Sequence, residues 1–133
     1  MHNFTIRKLT QDDNEMYFRW FEFFHHGQRP ERYHCNEIAV VELDGIFYSG
    51  IMVQRIPNSV CCIFTSICRN PFVDKEISSE AVDFLIKNLP LLARKLGYPH
   101  FVSLIGEEAA KARFRKNGVK EYKTPLTMFY GDS

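Results

Sequence analysis

Four residues of types that bind transition metals, His25, His26, His34 and Cys35, fall within eleven positions of one another. Adjacent histidines at a helix end point roughly 100° apart, which sets His25 and His26 against sharing one metal. A histidine stabilising a helix C-terminus through its dipole accounts for His25 or His26 without a metal. Of the other cysteines, Cys61 and Cys62 are neighbours, whose side chains point to opposite faces of a strand. Cys68 completes the four, no CxxC spacing occurs, and all four read as buried thiols of a reducing compartment. Lys111, Arg113, Arg115, Lys116, Lys120 and Lys123 make one basic concentration. It is either a solvated helix face or a docking surface for a phosphate or an acidic partner. Ser103, His100 and Asp83 supply the residue types of a nucleophilic triad, but no nucleophile-elbow glycine pattern surrounds Ser103. His100 reads instead as a surface histidine ahead of a strand.

These side chains need elements to position them. The chain has 133 residues, 45% of them apolar and 25% charged, the content expected of one globular domain rather than a disordered chain. No run approaches the 18 or more apolar residues that would span a bilayer. The opening MHNFTIRKLTQDD lacks the apolar core of a signal peptide, so a cytoplasmic location is expected. With 17 Lys and Arg against 16 Asp and Glu, the chain lacks the basic excess of a generic nucleic-acid or anionic-membrane binder.

Phe4 to Leu9 alternates weakly and predicts a strand ending at Thr10. Thr10-Gln-Asp-Asp13 offers N-caps for a helix over 12–26. That helix has one apolar stripe in Met16, Trp20 and Phe24, or in Tyr17, Phe21 and Phe24. Phe18 and Phe23 widen it, so the helix is wedged between layers, or else part of it lines a pocket or a subunit contact. A polar connection over 27–37 precedes Ile38 to Leu43, Asp44-Gly45 and Ile46 to Arg55, a hairpin signal because Asp-Gly suits a type I′ turn. Pro57-Asn58 turns the chain again. Val60 to Cys68, apolar or small on both faces, predicts a central strand covered on both sides, ended by Asn70-Pro71. Ser78 to Leu96 reads as a helix capped by Ser78 or Ser79 and stopped by Gly97. Pro90 inside it costs about 3 kcal/mol, enough to kink the helix near Leu89 or split it in two. A strand over His100–Ile105, a helix over Glu107–Asn117 stopped by Gly118, and a strand over Leu126–Tyr130 complete the order β-α-β-β-β-α-β-α-β. The fold class is therefore α/β, a mixed and mostly antiparallel sheet with helices on both faces.

This order, together with NPFVDKEISSEAVDFLI, LARKLGY and AAKARFRKNGV, resembles the GNAT superfamily of acyl-CoA-dependent N-acetyltransferases. In particular it looks like the short, single-domain members encoded by tailed bacteriophages. Those share an Ile-Arg-x-Leu-Thr opening, a Trp-bearing first helix, a strand end like Ser66-Ile-Cys-Arg-Asn-Pro71, and helix closes like Lys95-Leu-Gly-Tyr98 and Lys116-Asn-Gly-Val119. The resemblance implies an acetyl-CoA cofactor and an amine acceptor that attacks the thioester directly, its carbonyl polarised by strand backbone amides. It places the cofactor against Ile67, Arg69, Asp74, Lys75, Glu76, Ile77, Ser78, Ser79 and Phe114.

The family's pyrophosphate loop, Gln/Arg-x-x-Gly-x-Gly/Ala, closes backbone N–H groups on phosphates at a helix N-terminus. The matching residues are Val73 to Ser78, with Val73 for the Gln/Arg, Glu76 for the first glycine and Ser78 for the small residue. A carboxylate beside a diphosphate repels it by about 1 kcal/mol per charge pair in water, and more when desolvated. Lys75, Ser78 and Ser79 are the donors that would compensate. The usual proton-donating Tyr of the last helix is matched by Phe114, and the Asn seven residues earlier by Glu107. Tyr122 or a water would then protonate the leaving thiolate. The general base would lie where the two central strands splay, with Thr65, Ser66, Tyr48 and Glu42 as candidates. These departures leave a second expectation beside the phage-type N-acyltransferase: an inactive protein of the same fold acting by contact. Such a protein would be an inhibitor of a host protein or a minor virion or assembly component, and a homodimer is allowed.

Overall fold

The computed structural model describes residues 2–28, 37–103, 105 and 108–121. Strands β1 (Thr5–Lys8), β2 (Glu37–Leu43), β3 (Ile46–Gln54), β4 (Cys61–Arg69) and β5 (His100–Ser103) form one sheet in the order β1-β2-β3-β4-β5. The first three pairings are antiparallel and β4–β5 is parallel. Asp44 and Gly45 take φ of 51° and 81°, the left-handed pair a type I′ turn requires, and Asn58 turns the chain into β4 with φ 59°. The expected strand over 126–130 lies outside the described residues. No helix among those described is long and apolar enough to cross a membrane.

Helices cover both faces. Helix α1 (Asn14–Phe24) lies on one face, where Tyr17 and Trp20 pack with Leu9, Ile38, Val40 and Met52. Helices α2 (Lys75–Lys87) and α3 (Leu89–Lys95) lie on the other, where Leu85, Ile86 and Leu89 pack with Val41, Ile51, Val53 and Phe64. Helix α4 (Glu108–Lys116) contributes Phe114 to that second core. Alternation along β2 sends Val40 to the α1 side and Val41 to the α2 side.

Several boundaries differ from expectation for local reasons. The first helix is shorter, because a 3-10 turn over Gln11–Asp13 precedes it and Thr10 Oγ1 donates to Asp13 Oδ2 instead of capping. Its buried pair is Tyr17 and Trp20, one residue from each of the two stripes read in the sequence. The helix expected from Ser78 starts at Lys75, since Asp74 accepts a hydrogen bond from the Ile77 N–H and caps it. It ends at Lys87, with Asn88 as its C-cap, and Pro90 falls in the first turn of α3, where its missing N–H costs nothing. The chain therefore splits at the proline. Gly97 and Gly118 stop their helices with φ of 92° and 83°.

Candidate functional site

Strand β4 changes face partway. Cys62 and Phe64 belong to the α2-side core, yet Cys68, an even step further on, belongs to the α1-side core. Unbroken alternation would keep all three on one face. The extra residue that reverses the parity is visible in the pairing: Gly50 and Met52 of β3 are two apart, while their partners Cys68 and Thr65 are three apart. This is a β-bulge, and within it Ser66 takes a left-handed φ of 57°. The Tyr17 hydroxyl donates to the Ser66 carbonyl from beneath and pins the distortion.

The bulge lies just beyond the last described pairing of β4 with β5. Pairing of β4 with β5 runs from Cys61–His100 to Phe64–Ser103, while β4 continues to Arg69. Beyond Phe64, β4 has no strand partner on that side among the described residues. Ile67, Cys68 and Arg69 instead border a cavity of about 430 Å³ that reaches Val82 and Ile86 of α2, Phe114 of α4 and the C-terminal end of α1. A cleft thus lies beside the end of β4, where the resemblance expects the central strands to splay. The Arg69 guanidinium lies 4.8 Å from the centre of the Phe24 ring, a cation–π contact.

The predicted cofactor residues are divided by this geometry. Ile67, Arg69 and Phe114 line the cleft. Phe114 is buried and presents no proton. At the start of α2, the Asp74 carboxylate is occupied by the Ile77 N–H at 2.9 Å. Val73 and Ile77 pack against the α2-side core, while Lys75 and Glu76 are exposed. Ser78 is wholly buried and its hydroxyl donates to the Lys75 carbonyl. The Ser79 hydroxyl is bound to the Arg113 guanidinium. The Ser78 hydroxyl is therefore not turned outward as a donor, whereas Ser79 accepts from Arg113 and keeps its own proton. Each is held by a helix-internal or interhelical bond.

Of the candidate bases, Thr65 and Ser66 are half-buried in the bulged stretch of β4. Tyr48 packs against Phe4, and Glu42 pairs with Arg7 on β2, two strands away. Tyr122 and Glu107 lie outside the described residues. Sequence reading missed His25 as a cleft residue. Its Nδ1 lies 2.8 Å from the Phe21 carbonyl, which can only accept, so Nδ1 carries a proton. That bond at the helix C-terminus fits the capping role read for it. His34 and Cys35 lie outside the described residues.

The basic concentration is largely spent within the fold. Arg113 and Lys116 both pair with Asp83, Lys111 with Glu108 and Arg115 with Glu121. Asp83 is thus the tie between α2 and α4 rather than a triad member. Burial pushes the Cys68 thiol up to about 12, so it is not a thiolate nucleophile at neutral pH.

No family model matches the sequence, and no curated protein matches it either. Solved structures do match. An aminoglycoside acetyltransferase from an uncultured soil metagenomic sample, in complex with sisomicin, superposes with a TM-score of 0.68 at 13% identity, covering 98% of this chain and 97% of that one. A ribosomal-protein-alanine N-acetyltransferase from Brucella melitensis biovar Abortus 2308 gives 0.63 at 13% identity, with 97% and 100% covered. An aminoglycoside 6′-acetyltransferase in complex with a CoA-linked bisubstrate analogue gives 0.61 at 13% identity, with 98% and 99% covered.

Proposed function

We propose that this chain, which has the fold of the GNAT acetyltransferases, is an N-acyltransferase that draws its acyl group from a CoA-type thioester. The observation that carries the reading is the bulged end of β4, unpaired among the described residues, opening into a cleft between α2 and α4. A strand edge that pairs with no other described strand offers backbone N–H groups to a carbonyl. The surrounding Ile67, Val82, Ile86 and Phe114 give an apolar wall for a thioester arm. The resemblance to phage-encoded members rests on the sequence motifs alone.

The donor fits this site in part. The cleft suits an acyl chain and its arm. The start of α2 does not suit a diphosphate, because the Asp74 carboxylate already occupies the Ile77 N–H and Glu76 stands exposed in the first turn. Tyr122 and Ser66 remain candidates for handling protons. His25, which lines the cleft, is the proton acceptor this reading favours for the acceptor amine.

The test is acetyl transfer from acetyl-CoA to a mixed panel of amines, read by mass spectrometry beside direct calorimetric binding of acetyl-CoA. Wild type should acetylate at least one amine. Ala109→Trp, a substitution at an exposed position on the cleft wall, should remove both signals without altering the unfolding transition. Binding that survives Ala109→Trp unchanged would place the donor elsewhere and overturn the assignment.

A second reading, action by contact, is favoured by one specific feature. Phe23 and Phe72 are 59% and 66% exposed and meet edge to face at 5.6 Å. They adjoin a hollow of about 350 Å³ lined by Met16, Arg19, Trp20 and Phe72. Large aromatics gathered at a surface mark a contact with a host or phage protein, or with a second copy. Sedimentation of wild type beside Phe23→Asp distinguishes them: a dimer lost in the variant supports self-association, and a monomer in both excludes it.

A further inference from the structure

The beginning of α2 departs from the donor expected of the fold. A diphosphate is held at a helix N-terminus by free N–H groups, outward hydroxyls and a net positive field. Here the carboxylate of Asp74 accepts from the Ile77 N–H at 2.9 Å, so a protein anion already sits where a phosphate oxygen would. Glu76 adds a second carboxylate in the exposed first turn. Ser78 is fully buried and bonded to the Lys75 carbonyl, and Ser79 is bonded to Arg113. Arg113 in turn is paired with Asp83, which removes the nearest guanidinium on α4 from phosphate duty. Lys75 alone remains as a cationic donor in that turn, against two carboxylates.

We infer that the donor is held through its acyl-pantetheine arm and that the diphosphate adds nothing to its affinity. The chemical class of donor is therefore an acyl thioester of pantetheine, with the nucleotide end left in solvent. This inference rests on the cleft being a donor site. The apolar lining of Ile67, Val82, Ile86 and Phe114 is what remains to hold the arm.

Three donors test it on the whole protein by calorimetry: S-acetylpantetheine, S-acetyl-4′-phosphopantetheine and acetyl-CoA. Their dissociation constants should agree within about tenfold. Glu76→Gln, an exposed substitution that leaves the Asp74 cap intact, should tighten acetyl-CoA by about threefold to fivefold and leave S-acetylpantetheine unchanged. Acetyl-CoA binding more than about tenfold tighter than S-acetylpantetheine would overturn the inference while leaving the donor site standing. Weaker acetyl-CoA binding by Glu76→Gln would overturn it in the same way. Failure of all three to bind at about 10 mM would instead overturn the reading of the cleft as a donor site, and the inference with it.

Discussion

The Tyr17 hydroxyl donates a hydrogen bond to the carbonyl of Ser66, the residue of β4 whose backbone is left-handed. A serine at φ 57° is held in a conformation that L-residues seldom adopt, and it persists only where its surroundings impose it. Tyr17 is fully buried beneath the sheet, so the bond forms away from competing water. Tyr17→Phe should cost about 1–3 kcal/mol by leaving the Ser66 carbonyl unpaired. It should also weaken donor binding by more than a distant core variant of equal stability cost. Ser66→Gly should fold at least as well as wild type, and Ser66→Val markedly worse, because a β-branched side chain resists positive φ. Urea unfolding of the three variants decides this. Equal stability of the Gly and Val variants would mean that the bulge relaxes freely.

Gly50 makes room for the same tyrosine. A Cβ built there would stand 2.9 Å from Tyr17 Cδ2 and 3.2 Å from Val40 Cγ1, both within the packed α1-side core. The ring cannot retreat without breaking its bond to Ser66. Gly50→Ala is therefore expected to destabilise the fold by about 1–3 kcal/mol through overpacking. Pairing it with Tyr17→Phe should give less than the summed cost, since both act on one ring. Additive losses in that double-mutant cycle would separate the glycine from the bulge.

The hairpin, the glycine stops and the covering of both sheet faces were legible because each is written in a local signal: Asp44-Gly45 for the turn, Gly97 and Gly118 for helix ends, and a strand apolar or small on both faces over Val60 to Cys68. The bulge was not. Val60 to Cys68 reads as apolar on both faces, so an inserted residue leaves no break in its pattern. The same holds for the buried serine at position 78. Its value as a phosphate donor depended on which way a hydroxyl points, and the adjacent Asp74 cap, which moved the helix start three residues forward, turned that hydroxyl inward. His25 escaped notice as a cleft residue because it lies at the end of a helix far from β4 in sequence, and only the packing of α1 brings it there.

Cys68 borders the cleft yet should be chemically silent. Desolvation raises its thiol to about 12. At pH 8 about one molecule in ten thousand would carry the thiolate. Peptide-resolved alkylation in native buffer should therefore modify Cys61 well before Cys68. The linkage has a definite sign. A thiol whose folded pKa exceeds its unfolded value of 9.0 binds its proton more tightly when folded. The unfolded state alone ionises above that value, so stability falls as pH rises from about 9 toward 12. Cys68→Ala should remove this component of the alkaline loss. An identical alkaline profile in wild type and variant would contradict it.

Acid stability has a separate source at the other edge of the sheet. Glu37 accepts two bonds from Arg55, at 2.8 and 3.1 Å, and pairs with Lys8 at 2.8 Å. The Arg55 hydrogen bond, with a further one from Lys8, lowers the Glu37 carboxyl below its ordinary value despite opposing desolvation. A carboxyl depressed on folding contributes stability at neutral pH and loses it as pH falls through its folded pKa. Glu37→Gln should cost about 1 kcal/mol near pH 7, because Arg55 is partly open to solvent. The gap between variant and wild type should close below the ordinary carboxylate range. A gap that stays constant down to acid unfolding would show that packing, not charge, holds the triplet.

The wall of the cleft depends on a single carboxylate. Asp83 of α2 receives Arg113 Nε at 3.3 Å, Lys116 Nζ at 3.6 Å and Asn117 Nδ2 at 2.9 Å, all from α4 or the residue after it. Only Phe114 of α4 is buried, so polar ties carry a large share of the docking of this helix. Asp83→Ala strands a half-buried guanidinium, and should cost about 1–3 kcal/mol. Because α4 brings Phe114, Ala109 and Ala110 to the cleft, amide exchange in residues 108–116 should quicken while β2 and β3 keep their protection. Donor binding should fall in the same variant even where the protein is fully folded. Asp83→Asn, which keeps an acceptor for Asn117, should lose less. Unchanged exchange in α4 would mean that Phe114 alone anchors it, and that the salt bridges are ornaments of the surface.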